Sequence, residues 1–121
     1  MRFLLLNGLD DGFLKELLTK VIKPYGSLSV ASAEAGVPSE VEEPDGLIII
    51  DATVVEWAEQ LVAQLRLERP ERRIVVLTAS PTWQRARAVF EAGAMDYLPK
   101  TLSIEELDEA FQKALRKPLP R

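Results

Sequence analysis

Short apolar runs alternate along the chain with longer segments in which apolar residues recur every three or four positions. A short apolar run bounded by turn residues predicts a strand buried on both faces, and the longer spacing predicts an amphipathic helix. Buried strands are predicted at residues 2–6, 47–51 and 74–77, with a weaker strand near an edge at 28–33 and a short one at 95–98. Strands buried on both faces are typical of parallel sheets that helices cover on each side.

Helical spacing follows each predicted strand except the second. Helices are predicted at residues 13–22, 57–68, 80–91 and 104–117. Residues 34–43 have little apolar periodicity, so we expect only a short irregular helix or a loop there. Ser80-Pro81 suits the cap and first position of a helix, and Ser103 with Glu106 fits a capping box. Strands that alternate with helices in this way predict a doubly wound α/β sheet.

The amino-acid composition excludes several classes of function. The chain has 121 residues, of which 47% are hydrophobic and 28% charged, so we expect one domain over residues 1–121 with an ordinary core. The absence of cysteine and histidine excludes thiol chemistry, a Ser-His-Asp hydrolase and a phosphohistidine carrier. A net charge of −4 gives no support for direct nucleic-acid or membrane binding. No apolar run approaches the length of a membrane span, and we expect a cytoplasmic protein.

Three polar side chains follow three predicted strands. Asp51 closes the third strand, Thr78 follows the fourth and Lys100 follows the fifth. Ligands of open parallel sheets gather at the carboxyl ends of the strands. Taken alone, Asp51 is equally well interpreted as a helix N-cap, Thr78 as a turn residue and Lys100 as a solvated loop lysine.

These strand ends, together with the segment Gly-Ala-Met-Asp-Tyr-Leu-Pro-Lys at 93–100 and the Ser-x-x-Glu-Leu helix start at 103–107, carry a resemblance. The whole chain resembles the receiver domain of bacterial two-component response regulators. The resemblance implies a flavodoxin-like α/β/α fold with a five-stranded parallel sheet in the order 2-1-3-4-5. It also implies a signalling module in a phosphorelay rather than an enzyme.

The resemblance assigns a role to each residue. Asp51 would be the phosphoacceptor, since a carboxylate can attack a phosphoryl group. Lys100 would supply a cation for the product, and Thr78 would donate its hydroxyl to a phosphoryl oxygen. Tyr97 matches the aromatic residue that moves with the Thr78 loop, although packing alone would also explain it. The backbone carbonyl of Thr53 would be a metal ligand.

The metal site is where the chain departs most from the family. The family binds Mg²⁺ through Asp51 and an acidic pair at the end of the first strand, and the aligned positions here are Asn7 and Gly8. Either Asp10 or Asp11 reaches the site across an insertion, or the pair is lost. Both aspartates are equally well interpreted as helix caps or first-turn charges. We expect loss of the pair, and therefore weakened or absent Mg²⁺ binding.

Further departures lie in the neighbouring loops. The loop after Asp51 lacks the family's proline and Asp-Gly, the second helix is truncated, and Thr101 replaces a common proline, which makes a cis peptide there unfavourable. These departures leave intact the apolar and capping patterns that predict the fold. They predict a receiver whose phosphorylation is weak, altered or absent.

The expected partners follow from the resemblance. They are a sensor histidine kinase or other phosphodonor, and a downstream effector protein; a homodimer is left open. Phosphorylation would alter the face made by the fourth helix, fifth strand and fifth helix of the family. That face would include the following residues: Trp83, Arg87, Tyr97, Ile104 and Glu105. Trp57 and Trp83 are otherwise interpreted as helix-face packing.

Two rival functions remain. A pseudo-receiver would keep the fold, lack phosphotransfer and regulate by protein interaction alone. A small α/β enzyme or nucleotide binder is disfavoured because the chain has no Gly-rich phosphate loop, histidine or cysteine.

Overall fold

A parallel sheet of five strands forms the centre of the molecule in the computed structural model, which describes residues 1–7, 12–33, 36–101 and 103–118. The strands are β1 (Arg2–Leu6), β2 (Ser27–Ala31), β3 (Leu47–Asp51), β4 (Arg73–Thr78) and β5 (Asp96–Pro99). Their order in the sheet is β2-β1-β3-β4-β5, and every neighbouring pair is parallel. The predicted doubly wound sheet with this strand order is confirmed.

Helices cover both faces of the sheet. The helices are α1 (Gly12–Ile22), α2 (Ala58–Glu68), α3 (Trp83–Ala92) and α4 (Ile104–Arg116). Two apolar cores result, one beneath α1 and α4 and the other beneath α2 and α3. Within the described residues, no helix has the length and apolar character that crossing a membrane requires.

The continuous apolar runs of β1, β3 and β4 are explained by this layering. Successive side chains of a strand point to opposite faces. In β1, Leu4 and Leu6 enter the core beneath α2 and α3, whereas Phe3 and Leu5 enter the core beneath α1 and α4. All four are at most 2% exposed.

The edge strand β2 is more exposed than the inner strands. Leu28 packs partly into the core beneath α1 and α4 and Ala31 into the core beneath α2 and α3, whereas Ser27, Ser29 and Val30 are exposed. A 3₁₀ turn at Ser39–Glu42 is the helical element described between β2 and β3. This agrees with the short irregular helix or loop predicted at 34–43, of which Glu34 and Ala35 lie outside the described residues.

Ion pairs hold that 3₁₀ turn in place. The Glu42 carboxylate lies 2.7 Å from the Arg69 guanidinium and 3.1 Å from that of Arg72. Arg72 is itself buried, and it also pairs with Glu68 at 3.1 Å and donates to the carbonyl oxygen of Leu65. The turn is therefore joined to the end of α2 by these ion pairs and to the core by the buried side chain of Val41.

Three helix boundaries test the capping predictions. The predicted start of α3 at Ser80-Pro81 is wrong, because Thr82 is the N-cap and accepts a hydrogen bond from the Arg85 N–H at 3.2 Å. The predicted end is confirmed by Gly93, whose φ of 115° is the left-handed conformation that favours glycine. The capping box of Ser103 and Glu106 at the start of α4 is also confirmed.

Candidate functional site

The carboxyl ends of β3, β4 and β5 bring Asp51, Thr78 and Lys100 together. Asp51 lies opposite Leu77 in the sheet, and Thr78 lies opposite Pro99, which precedes Lys100. The Lys100 Nζ atom lies 2.7 Å from Asp51 Oδ2, and the Lys100 backbone N–H donates to the Thr78 carbonyl oxygen at 2.8 Å. One acid, one hydroxyl and one cation therefore share this edge of the sheet.

Asp51 is completely buried, although it is a carboxylate. Its Oδ1 atom accepts a hydrogen bond from the Thr53 N–H at 3.1 Å. Its Oδ2 atom meets Lys100 as an ion pair without the direction of a hydrogen bond, and it has no hydrogen-bond donor among the described residues. A buried charge is costly unless it is paired, so Lys100 is the principal source of charge compensation that the structure shows.

The N-cap interpretation of Asp51 is wrong. The helix that follows, α2, begins at Ala58, and Trp57 occupies its N-cap position without a side-chain capping bond. The Asp51 carbonyl oxygen instead accepts the N–H groups of Val54 and Val55 in a turn, at 3.2 and 2.9 Å. The Asp51 carboxylate therefore belongs to the site at the strand ends and does not cap α2.

Thr78 is 2% exposed, and its hydroxyl takes part in a local turn by accepting the Ser80 N–H at 3.2 Å. This matches the turn role that the sequence left open, and the hydroxyl still has its own proton to donate. A depression of about 280 Å³ opens beside it. The lining residues are Ala52, Thr53, Glu56, Thr78, Ser80 and Arg85.

Sequence reasoning missed the side chain of Thr53, to which it gave only a backbone role. The Thr53 Oγ1 atom accepts the Ala79 N–H at 2.8 Å, which joins the β3–α2 loop to the β4–α3 loop. No spacing signal marks such a contact, because it depends on how two loops approach each other.

Arg85 is the second residue that was missed. From α3 its guanidinium reaches the Glu59 carboxylate at 2.6 Å, the Ala52 carbonyl oxygen at 3.2 Å and the Glu56 carbonyl oxygen at 3.3 Å. The start of α3 is thereby fastened to the loop that follows Asp51. The pairing of Arg85 with Glu59 is not visible in sequence, since 26 positions separate them.

Tyr97 lies on β5 with its ring packed against the core beneath α2 and α3. Its hydroxyl oxygen is buried and has no hydrogen-bond partner among the described residues. In this structure Tyr97 is therefore a packing residue, which is one of the two interpretations that the sequence allowed.

The other residues of the predicted partner face are exposed. Trp83 is 69% exposed and Ile104 41%, and Arg87 and Glu105 are exposed as well. The prediction that Trp83 packs on its helix face is wrong, because the Thr82 cap sets a helical phase in which Val89, and not Trp83, faces the core. For Trp57 the packing prediction is confirmed: its ring packs against the core, and its Nε1–H donates to the Ala33 carbonyl oxygen at 2.9 Å.

The Mg²⁺ site implied by the resemblance is not matched by the described residues. Asp51 is present, but no group of three or more aspartate, glutamate, histidine or cysteine residues able to hold a metal occurs in the described part of the chain. Asn7 is buried at the end of β1, and an amide is not a carboxylate. Gly8, Asp10 and Asp11 lie outside the described residues.

Comparison with curated proteins gives response regulators. The DNA-binding transcriptional regulator NtrC of Rhizobium meliloti (strain 1021) is 28% identical over 115 residues, which cover 93% of this chain and 24% of that protein. Response regulator MprA of Mycobacterium avium (strain 104) is 31% identical over 124 residues, which cover 99% of this chain and 53% of that protein. The chain thus spans about a quarter to a half of the length of these relatives. No protein-family model matches it.

Solved structures with a similar fold are also response regulators. A CheY-like response regulator receiver domain protein from Methanospirillum hungatei JF-1 has a TM-score of 0.78 at 18% identity, covering 94% of this chain and 92% of that one. An atypical orphan response regulator, described as having a phosphorylation-independent regulatory mechanism, has a TM-score of 0.79 at 22% identity, covering 100% of both chains. The fold is therefore that of a CheY-like receiver domain. In fold and in sequence the chain is thus similar to the receiver domains of response regulators.

Proposed function

We propose that the chain accepts a phosphoryl group on Asp51 and thereby switches a surface for protein interaction. The observation that carries this proposal is the buried Asp51 carboxylate, which lies 2.7 Å from the Lys100 ammonium at an edge of the sheet shared with Thr78. The phosphoryl donor would be a phosphorylated sensor kinase or a small phosphorylated molecule. The chain would serve as a signalling module and not as an enzyme with its own substrate.

Both carboxylate oxygens of Asp51 have contacts that orient the side chain for the proposed transfer step. The Thr53 N–H donates to Oδ1 at 3.1 Å, and the Lys100 ammonium lies 2.7 Å from Oδ2, so both oxygens of the carboxylate are held in place. A lone pair of one carboxylate oxygen forms the new bond to phosphorus, and the bond from phosphorus to the donor breaks with its electrons on the leaving group. A histidine nitrogen that leaves takes a proton from solvent, whereas acetate leaves as the anion. The acyl phosphate carries about −1.5 to −2 charges, and Lys100 is positioned to offset part of them.

The response would begin at Thr78. Its hydroxyl proton would be donated to a phosphoryl oxygen, which draws in the loop that leads to α3. The surface on α3, β5 and the start of α4 would then change its population of conformations, to the extent that the modified site favours one of them. The exposed side chains of Trp83, Arg87, Ile104 and Glu105 would present that change to an effector protein.

The proposal is tested by intact mass after incubation with acetyl phosphate. The wild-type protein should gain one phosphoryl group, and Asp51→Asn should gain none. Asp96→Asn, which removes a carboxylate on β5 and leaves Asp51 unchanged, is the matched control and should gain the group. A wild-type protein that gains no mass at high donor and high Mg²⁺ would refute phosphotransfer and would support a receiver that acts by binding alone.

The same experiment tests whether the transfer requires Mg²⁺ and which aspartates bind the ion. A mass gain that requires Mg²⁺ would place Asp10 or Asp11 among its ligands, and Asp10→Asn and Asp11→Asn would each be compared. A gain that persists with a chelator would mean that Lys100 compensates the charge without a divalent ion.

A further inference from the structure

Thr53 connects Asp51 directly to the loop that leads to α3. Its N–H donates to Asp51 Oδ1 at 3.1 Å, and its Oγ1 accepts the Ala79 N–H at 2.8 Å. Two hydrogen bonds through one residue therefore separate the carboxylate from the amide that follows Thr78. Thr53 and Ala79 are both exposed, so this link lies where a phosphoryl donor has access.

We infer that the Thr53 hydroxyl and a phosphoryl group on Asp51 compete for the Ala79 N–H. This inference rests on the proposed function and adds to it a residue that regulates the site. In the unmodified protein the Ala79 N–H is satisfied by Thr53, and the Ser80 N–H is satisfied by the Thr78 hydroxyl. The loop is thus held without a phosphate, and phosphorylation must break the Thr53 bond before the Ala79 N–H can serve the phosphoryl group.

The exchange favours the phosphoryl group once it is present. A hydrogen bond to an ionised acceptor is roughly twice as strong as one between neutral partners, and the hydroxyl of Thr53 is neutral. The lost Thr53 bond nevertheless reduces the net stabilisation of the acyl phosphate. Thr53 is accordingly a positioning residue that lowers the phosphorylated fraction and delays release of the loop.

The first arm of the test examines the unmodified protein. Thr53→Val keeps the shape of the side chain and removes its oxygen, whereas Thr53→Ser keeps the oxygen. Amide exchange measured by NMR should show protection of the Ala79 N–H falling about two- to tenfold in Thr53→Val, as expected for one hydrogen bond, and staying near wild type in Thr53→Ser. Equal protection in wild type and Thr53→Val would overturn the inference.

The second arm measures the acyl phosphate by intact mass in a time course with acetyl phosphate. Thr53→Val should raise the phosphorylated fraction at least about twofold, because the Ala79 N–H is then available without competition; Thr53→Ser should match wild type. Equal yields in wild type and Thr53→Val would refute the competition and leave the proposed function intact. No mass gain in any variant would refute the proposed function and the competition together.

Discussion

At the scale of single residues, the site depends on the pairing of Asp51 with Lys100. Asp51 is fully buried, and the Lys100 side chain is 18% exposed at 2.7 Å. Breaking a buried pair by removing one partner typically costs about 3–5 kcal/mol, because an uncompensated charge stays behind. Lys100 therefore contributes to stability as well as to the proposed chemistry.

Lys100→Met should lower the free energy of unfolding by about 2–4 kcal/mol, somewhat less than for a fully buried pair because Lys100 keeps some exposure. Urea denaturation followed by circular dichroism measures this. Lys20→Met, at an exposed position of α1, is the control and should change little. The double variant Asp51→Asn with Lys100→Met should recover part of the loss, and a single variant as stable as wild type would contradict the account of the pair.

The meeting of Asp51, Thr78 and Lys100 at one edge of the sheet was predictable from sequence because each lies at or just after the end of a predicted strand. In a parallel sheet, the ends of such strands meet at one edge. The roles of the Thr53 hydroxyl and Arg85 were not predictable. Both depend on loop geometry that no periodicity encodes.

At the scale of elements, α3 buries few of its own side chains. Val89 is its one fully buried residue, and Trp83, Arg87 and Phe90 are exposed along it. The Arg85 guanidinium supplies the polar attachment, with three acceptors on and after the loop that follows Asp51. A helix with this little buried surface opens locally at low free energy, and its attachment point lies beside the proposed phosphorylation site.

Arg85→Gln should therefore speed amide exchange across α3 by about fivefold, with little change in the sheet. Hydrogen exchange followed by mass spectrometry measures this by segment. Arg87→Gln is the matched control: it lies on the same helix and loses only an exposed pair with Glu91 at 3.0 Å, which contributes little. Similar exchange in the two variants would show that Arg85 does not anchor the helix.

The elements themselves were predictable to different degrees. The strands β1, β3 and β4 were evident from apolar runs, and the serines in β2 already indicate a more exposed strand at the edge of the sheet. The start of α3 was misplaced because Ser80 and Thr82 have similar capping chemistry. Only the course of the loop, with Thr82 extended at φ −129°, decides between them.

At the scale of the whole molecule, a polar cluster ties the beginning of the chain to its last helix. The Tyr25 hydroxyl donates to Asp108 Oδ1 at 2.5 Å, across 83 positions of sequence, and accepts a hydrogen bond from Gln112 at 2.7 Å. The hydrogen bond to Asp108 raises the pKa of Tyr25 above its ordinary value of 10.0. Ionisation of Tyr25 would place two negative charges side by side.

The stabilisation from this cluster should consequently depend on pH. A raised pKa in the folded state means that the contribution is complete below about pH 10 and is lost as the pH rises through the folded value. The difference in urea midpoint between wild type and Tyr25→Phe should shrink over that range. Tyr97→Phe is the control, since the Tyr97 hydroxyl has no hydrogen-bond partner among the described residues; a Tyr25→Phe difference that stays constant with pH would contradict this assignment.

The central claim is that a phosphoryl group on Asp51 changes the surface built from α3, β5 and α4. Hydrogen exchange of the wild-type protein with and without acetyl phosphate, beside Asp51→Asn, tests it most directly. We predict altered exchange in residues 78–105 of the wild type, in step with the mass gain, and none in Asp51→Asn. Phosphorylation that leaves this region unchanged, or equal changes in Asp51→Asn, would contradict the claim.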